Sequence, residues 1–319
     1  MRSRRTTIGA LFATTTAVAW GGQFVVGKSA LGSINAFPLS TIRYALAVAI
    51  WLGVLVVVEG RGSLRLDGRG LRLFWLGSLG FAGFNLLAYT GLAHARPQSA
   101  SLIVALAPLL TALVVWRRTR VRPSNATFGL LAVALAGVAL VISGGHPASI
   151  VDGSIGWGDA LVFAGVFSFV VYGLGAAQFP GFSALRYTTL TAALGWLTIA
   201  AATAAATAAG LVPLPSSHEL TAVTPQILYL AIPGAVIAVL TWNAAIRMLG
   251  PQNAVLFGNL IPVTTFGIEI ARGYRPGGVE LAGAGLTIGA LVANNLLARR
   301  RTRPAKDEHV APVALARAA

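Results

Sequence analysis

Apolar residues run along this chain in blocks of roughly 18 to 25, separated by short polar or Gly/Pro-rich breaks. A helix rises about 1.5 Å per residue, so a block of that length spans the ~30 Å hydrocarbon core of a bilayer. The apolar/polar alternation of a membrane β-barrel is absent. The blocks predict an all-α integral membrane protein with ten spanning helices, over 8–29, 37–58, 71–93, 98–116, 125–143, 157–177, 184–208, 225–249, 252–272 and 279–298. The breaks carry turn chemistry: Pro97-Gln98, Gly144-Gly145, Phe179-Pro180-Gly181, Gly250-Pro251 and Pro276-Gly277-Gly278. Residues 1–7 and 299–319 lie outside the spans, and the basic, Ala-rich tail is expected to be disordered. Arg2, Arg4 and Arg5 ahead of Ala17-Val18-Ala19 also fit a cleaved signal peptide, but the apolar run continues through Phe24, Val25 and Val26, which favours an uncleaved first helix.

The pattern repeats. Pro97-Gln98-Ser99-Ala100-Ser101-Leu102, running on to Leu106 and Pro108, matches Pro251-Gln252-Asn253-Ala254-Val255-Leu256, running on to Leu260 and Pro262, at an offset of 154 with six identities in twelve positions. Earlier in each half Ser40-Thr41-Ile42-Arg43-Tyr44 matches Ser183-Ala184-Leu185-Arg186-Tyr187 at an offset of 143. A longer connector between helices 7 and 8 than between helices 2 and 3 is expected to supply most of the difference. The halves are then 8–143 and 157–298, joined by an outer loop at 144–156. Five helices is an odd number, so the second half enters the membrane from the opposite side. Inverted repeats of this kind characterise transporters, with the solute site near the midplane.

Composition sharpens this. Of 319 residues, 56% are hydrophobic and 10% charged, with mean hydropathy +0.75; soluble domains carry roughly 25% charged residues. The net charge of +15 raises nucleic-acid binding only to dismiss it, because 19 of the 24 lysines and arginines fall in loops, tails and helix ends on one side of the ten-helix map. That side is cytoplasmic by the positive-inside rule, so both termini are expected inside. Two outer loops, 144–156 and 210–224, hold no Lys or Arg. There is no cysteine, and His94, His146, His218 and His309 fall in loops, helix ends or the tail, so neither a metal site nor a cofactor is expected. Arginine outnumbers lysine 22 to 2, as in GC-rich bacterial genomes, which places the expected membrane as a bacterial plasma (inner) membrane.

The chain resembles the drug/metabolite transporter superfamily, of the EamA-domain type, over about residues 8–298. Trp20-Gly21 and Lys28 in helix 1, Arg43 in helix 2, Leu106-Ala107-Pro108 in helix 4 and Asn259-Leu260-Ile261-Pro262-Val263 in helix 9 carry the resemblance. The resemblance implies an exporter of small organic metabolites such as amino acids, either proton-coupled or a facilitated uniporter. Family members commonly place Gly-Glu about thirteen residues after the two prolines; here those places read Arg120-Val121 and Tyr274-Arg275, so no role is carried over from that glutamate. No P-loop is present, so ATP does not drive the chain directly. A membrane-embedded enzyme and a non-transporting scaffold or sensor are the rival readings. The first lacks an acid/base set in the spans, and the second lacks a soluble domain.

Ionisable groups in a membrane helix cost several kcal/mol and mark function or pairing. Arg43, Glu269 and Lys28 are expected at similar depth near the outer end, lining a vestibule where Arg43 or Lys28 attracts a solute carboxylate or phosphate. Glu269 either carries a coupling proton or ammonium, or pairs with Arg272 one turn on. For Lys28, snorkelling to the interface is the favoured reading. Asn85 and Tyr89 share a helix face, and Tyr89 maps onto Asn243 at the 154 offset; with Trp242 and Asn259 they offer polar partners for a solute or glue between helices. Pro108 and Pro262 interrupt the backbone ladder at mid-membrane and free carbonyl oxygens. The expected partners are thus a small-molecule solute, protons and the lipid bilayer.

Overall fold

The computed structural model describes residues 2–144 and 156–301, all helical apart from short connectors. The outer loop expected at 144–156 and the tail expected at 299–319 lie largely outside the described residues, as do His146 and His309. The helices are α1 (Arg2–Ala30), α2 (Ala36–Glu59), α3 (Gly70–His94), α4 (Pro97–Ala105 and Ala107–Thr119), α5 (Asn125–Ser143), α6 (Trp157–Gly175), α7 (Ala184–Ala208), α8 (Ser217–Leu249), α9 (Pro251–Gly258 and Leu260–Ala271) and α10 (Gly278–Arg301). Among the described residues nine helices are long and apolar enough to cross a membrane, and the two pieces of α4, bent by 40° at Leu106, pass that test together. The chain is an all-helical, multi-pass membrane protein.

Two contacts define the ends of the bundle. At one end α1, α3, α5 and α9 finish where α4, α6 and α10 begin: Lys28 reaches the last carbonyls of α3, and Arg96 reaches the last carbonyls of α5 and Glu280 of α10. At the other end Arg186 of α7 reaches Asp67 in the α2–α3 connector at 2.8 Å, and Ser183 donates to Glu59.

Two interruptions recur at the sequence offset. α3 is π-helical over Ser78–Gly83 and α8 over Ile232–Ile237, 154 residues apart. A π turn leaves carbonyls without their usual partner, and other helices supply donors. Ser168 Oγ of α6 donates to Leu79 O at 2.7 Å, and Trp20 Nε1 of α1 donates to Gly234 O at 3.1 Å. α4 and α9 break at Leu106 and Asn259, just ahead of Pro108 and Pro262. The prolines open the second segment of each broken helix, where the missing N–H costs least.

Two expectations need correction. α8 begins at Ser217, not 225. Pro225 reads as a start signal, but a capping box stands upstream of it: Ser216 Oγ accepts from Glu219 N, and Glu219 Oε2 accepts from Ser216 N at 2.7 Å. The loop expected at 210–224 therefore ends at Ser216. The connector between α7 and α8, residues 209–216, is also no longer than that between α2 and α3, residues 60–69. The shift in repeat offset comes from the helices: α7 runs from Ser183 to Ala208 past the shared motif where α2 runs only from Ser40 to Glu59, and α8 is longer ahead of its π turn.

Helix α4 ends on Arg120 in the left-handed region, φ 61°, one of the two places where the resemblance leads to glycine. A Cβ costs roughly 1–2 kcal/mol there. Arg120→Gly is expected to stabilise the chain by about 1 kcal/mol, read as a rise in Tm of the detergent-purified protein. An unchanged or lower Tm counts against strain at this cap. In the second half Gly273 takes the equivalent turn at φ 97°.

Candidate functional site

Arg43 lies two turns into α2 and its residue is 2% exposed. Its counterpart Arg186 sits in the first turn of α7, because α7 starts directly at the shared Ser-x-x-Arg-Tyr motif while α2 begins a turn earlier at Ala36. The extra turn of α2 carries Arg43 into the bundle. There its two terminal nitrogens fork, one donating to Tyr89 Oη and the other to Asn85 Oδ1. The guanidinium also lies over the Tyr89 ring at 4.2 Å and the Tyr44 ring at 4.8 Å, both within cation–π range. Asn85 is held in turn by donating to Phe81 O of the π turn at 2.7 Å. Nε of Arg43 has no partner, and no carboxylate among the described residues pairs with this guanidinium. The π turn, Asn85, Tyr89 and Arg43 thus form one buried ladder along α3.

One further turn along α3 the chain meets Lys28. Gly27 of α1 packs against the Tyr89 ring, where a Cβ would stand 2.9 Å from it. Next to it Lys28 Nζ donates to Leu92 O at 3.0 Å and Ala93 O at 2.8 Å. A cation on the terminal carbonyls of a helix is favoured by the helix dipole. Lys28 therefore caps α3.

Lys28 also lines a cavity of about 370 Å³ at this end, with Val25, Ser29, Arg96, Pro97, Gln98, Glu269, Arg272 and Tyr274. That size falls in the ordinary range for small-molecule sites. Lys28 and Glu269, expected to share a vestibule with Arg43, both line it. Arg43 is not among the lining residues and sits deeper. Glu269 pairs with Arg272 at 3.3 Å, and the Arg272 side chain is largely exposed, the interfacial pair foreseen as the alternative. Gln98, 1% exposed, keeps Oε1 unpartnered. Arg96 bridges to Glu280 at 3.4 Å and to the carbonyls of Val141 and Ile142. Tyr274 donates to Glu280; its burial, and then that carboxylate, push the phenol's pKa up, so it stays a donor through neutral pH.

The remaining expected residues gather elsewhere. Trp242 of α8 meets Trp20 of α1 with ring centroids 5.5 Å apart, and Asn243 beside it is half-buried. Asn259 sits at the break of α9, 6% exposed, with Nδ2 unpartnered. Pro262 is buried and Pro108 half-buried beside the corresponding break.

Five polar residues here escaped the sequence reading: Arg96, Gln98, Asp159, Tyr274 and Glu280. Arg96 and Gln98 adjoin or sit in the repeated Pro-Gln motif, which was a usable signal. Asp159 falls inside the span expected over 157–177. It is 8% exposed, its Oδ1 has no hydrogen-bond partner among the described residues, and Lys28 and Arg96 lie within electrostatic reach.

Comparison with known proteins agrees with this architecture. A protein solved by crystallography aligns over 95% of this chain and 100% of its own with a TM-score of 0.63 at 22% identity, which shows the fold alone. Two proteins of Bacillus subtilis (strain 168) are similar along nearly their whole length. "Uncharacterized transporter YrdR" is 31% identical over 94% of this chain and 95% of its own, and "Uncharacterized transporter YyaM" is 29% identical over 87% and 90%. The sequence pattern of the EamA-like transporter family matches residues 7–143 and again residues 156–296. The chain therefore belongs to the EamA-like transporter family and is a multi-pass membrane transporter.

Proposed function

We propose that this transporter carries a small organic solute bearing a carboxylate or similar anion, and that Arg43 is its anchor. The observation that carries this reading is a guanidinium buried in the bundle with only neutral partners. Burying a charge without a counter-charge costs several kcal/mol, and a bound anion offsets that cost. Tyr89 and Asn85 hold the guanidinium fork in place between loads. The 370 Å³ cavity above, with Lys28, Arg96 and Arg272 against Glu269, gathers the anion from solution. An amino acid or related metabolite fits this pairing of charges, and export is the direction the family resemblance suggests.

The carrier works by alternating access between two inverted five-helix halves, 8–143 and 157–298. The matching π turns, the matching breaks in α4 and α9, and the two-fold match to the family pattern support this reading. Positive charge in the loops sets both termini in the cytoplasm of a bacterial cell. Flux of a radiolabelled panel of amino acids, other carboxylates and neutral analogues in proteoliposomes tests the reading. Carboxylate-bearing solutes are expected to move and compete; flux confined to neutral or cationic solutes removes the anion anchor.

The coupling role considered for Glu269 passes to Asp159, a buried acid with one oxygen unpartnered among the described residues. Glu269→Gln is expected to keep flux within about twofold, as for an ion pair whose arginine is largely exposed. Asp159→Asn is expected to make flux indifferent to an imposed proton gradient. If the gradient dependence survives Asp159→Asn or disappears in Glu269→Gln, the assignment is reversed.

A further inference from the structure

On the flank of the bundle a groove of about 480 Å³ lies between the first turns of α5 and the last turns of α10, lined by Ala126, Gly129, Leu130, Ala293, Leu296 and Leu297. Its origin is the crossing of the two helices. They pack backbone to backbone where a Cβ on Gly283 would stand 2.6 Å from Gly137 O, and Thr287 Oγ1 donates to Ala134 O at 3.2 Å. Beyond that point small residues leave a gap: a Cβ on Gly129 would meet nothing within 4 Å.

The mouth of the groove is cationic. Arg117 and Arg118 end α4 with exposed side chains, and Arg122 in the following connector is exposed too. Arg122 lies over the Phe128 ring at 5.5 Å, and Trp116 meets the same ring edge-on at 5.2 Å. Phe128 adjoins Gly129 in the first turns of α5, so this cation–aromatic stack stands at the same end of α5 as the groove. No Asp or Glu occurs between Leu113 and Leu135 or between Ala290 and Arg301. An apolar trough under an uncompensated basic rim, at the level where helices leave the bilayer, matches one kind of molecule in charge and polarity.

We propose that the groove holds an acyl chain of an anionic phospholipid, with its headgroup phosphate on Arg117, Arg118 and Arg122. Arginine suits this role because its planar fork binds phosphate oxygens two at a time. A second copy of the chain is the poorer occupant, because a two-fold contact would set this basic rim against itself. A zwitterionic lipid fills the trough but gains less from the rim.

The test uses the full chain purified in neutral detergent, with dioleoylphosphatidylglycerol or dioleoylphosphatidylcholine added, read by native mass spectrometry and by thermal unfolding. The phosphatidylglycerol is expected to be retained and to raise Tm above the phosphatidylcholine value. Combined Arg117→Gln, Arg118→Gln and Arg122→Gln is expected to lower phosphatidylglycerol affinity on the order of a hundredfold, while phosphatidylcholine is unaffected. Gly129→Leu adds its side chain where a Cβ meets nothing within 4 Å and is expected to displace both lipids, which keeps the test decisive even if the triple variant misfolds. Equal retention of the two lipids, or a preference for phosphatidylglycerol that survives the variants, overturns the proposal. So does a dimer that Gly129→Leu dissociates with no lipid bound.

Discussion

Arg43→Leu is expected to bring flux of carboxylate solutes down by roughly 30- to 1,000-fold, the range found when one partner of a buried charge pair is removed. The substitution takes away the cation and leaves Tyr89 Oη and Asn85 Oδ1 without their donor. Both residues are buried, so the vacancy also costs stability, on the order of 1–3 kcal/mol for an unsatisfied polar group. Two further variants separate the roles. Arg43→Lys keeps the charge but cannot fork between two acceptors, so it is expected to fold and to carry solute with a raised KM. Tyr89→Phe removes one acceptor while keeping the ring under the guanidinium, and is expected to cost flux less than tenfold, in line with a single neutral partner. The measurement is initial flux against solute concentration, alongside Tm and monodispersity in detergent. A purely structural arginine predicts loss of Tm in proportion to loss of flux, with no KM change in Arg43→Lys. That pattern would sink the anchor.

The depth of Arg43 was only half legible in the sequence. The repeat Ser-x-x-Arg-Tyr was visible, and it invited treating Arg43 and Arg186 as equivalents. What separates them is where each helix begins. Asn35 caps α2 by accepting from Phe37 N, whereas Ser183 of the motif itself caps α7 by accepting from Arg186 N at 2.9 Å. One turn of difference sends the first arginine inward and leaves the second at the end of the bundle, paired with Asp67. Periodicity locates spans well, because hydrocarbon thickness dictates their length. It is blind to caps such as Ser216 and Glu219, where local hydrogen bonds decide.

The π turns show the same division. Leu79, Gly80 and Gly234 look like ordinary membrane-helix residues in sequence. The extra residue in the turn becomes apparent only once Ser168 and Trp20 are seen donating to carbonyls of α3 and α8. Pro108 and Pro262 did announce their breaks, because a missing N–H is a property of the residue itself. Lys28 stands out as a charge at a helix end and Arg96 beside the repeated Pro-Gln motif, but their partners, the end of α3 and Glu280, carry no such mark.

The largest effect on stability is expected at a position that sequence alone cannot tell from its neighbours. Gly283 and Gly285 stand two residues apart on α10, in the run Ala282-Gly283-Ala284-Gly285. Helix association in a membrane rests on close backbone packing, since lipid tails are as apolar as leucine. Gly283 is at the crossing with α5: an added Cβ would stand 2.6 Å from Gly137 O and 2.9 Å from Leu140 Cβ. Neither is the far end of a flexible side chain, so the helices themselves must part. Parting them also stretches the Thr287 bond to Ala134 O. Gly285 faces outward, and a Cβ there meets nothing within 4 Å. Gly283→Ala is therefore expected to destabilise by roughly 1–3 kcal/mol, the usual cost of overpacking. Gly285→Ala is expected to stabilise by up to about 1 kcal/mol, the helix-propensity gain of alanine over glycine. The same chemical change thus moves Tm in opposite directions, measured by tryptophan fluorescence on heating in detergent. Gly283→Leu is expected to leave no folded fraction at all, because a branched side chain cannot fit between two touching backbones. Equal Tm values for the two alanine variants would mean that α5 and α10 do not meet at Gly137 and Gly283.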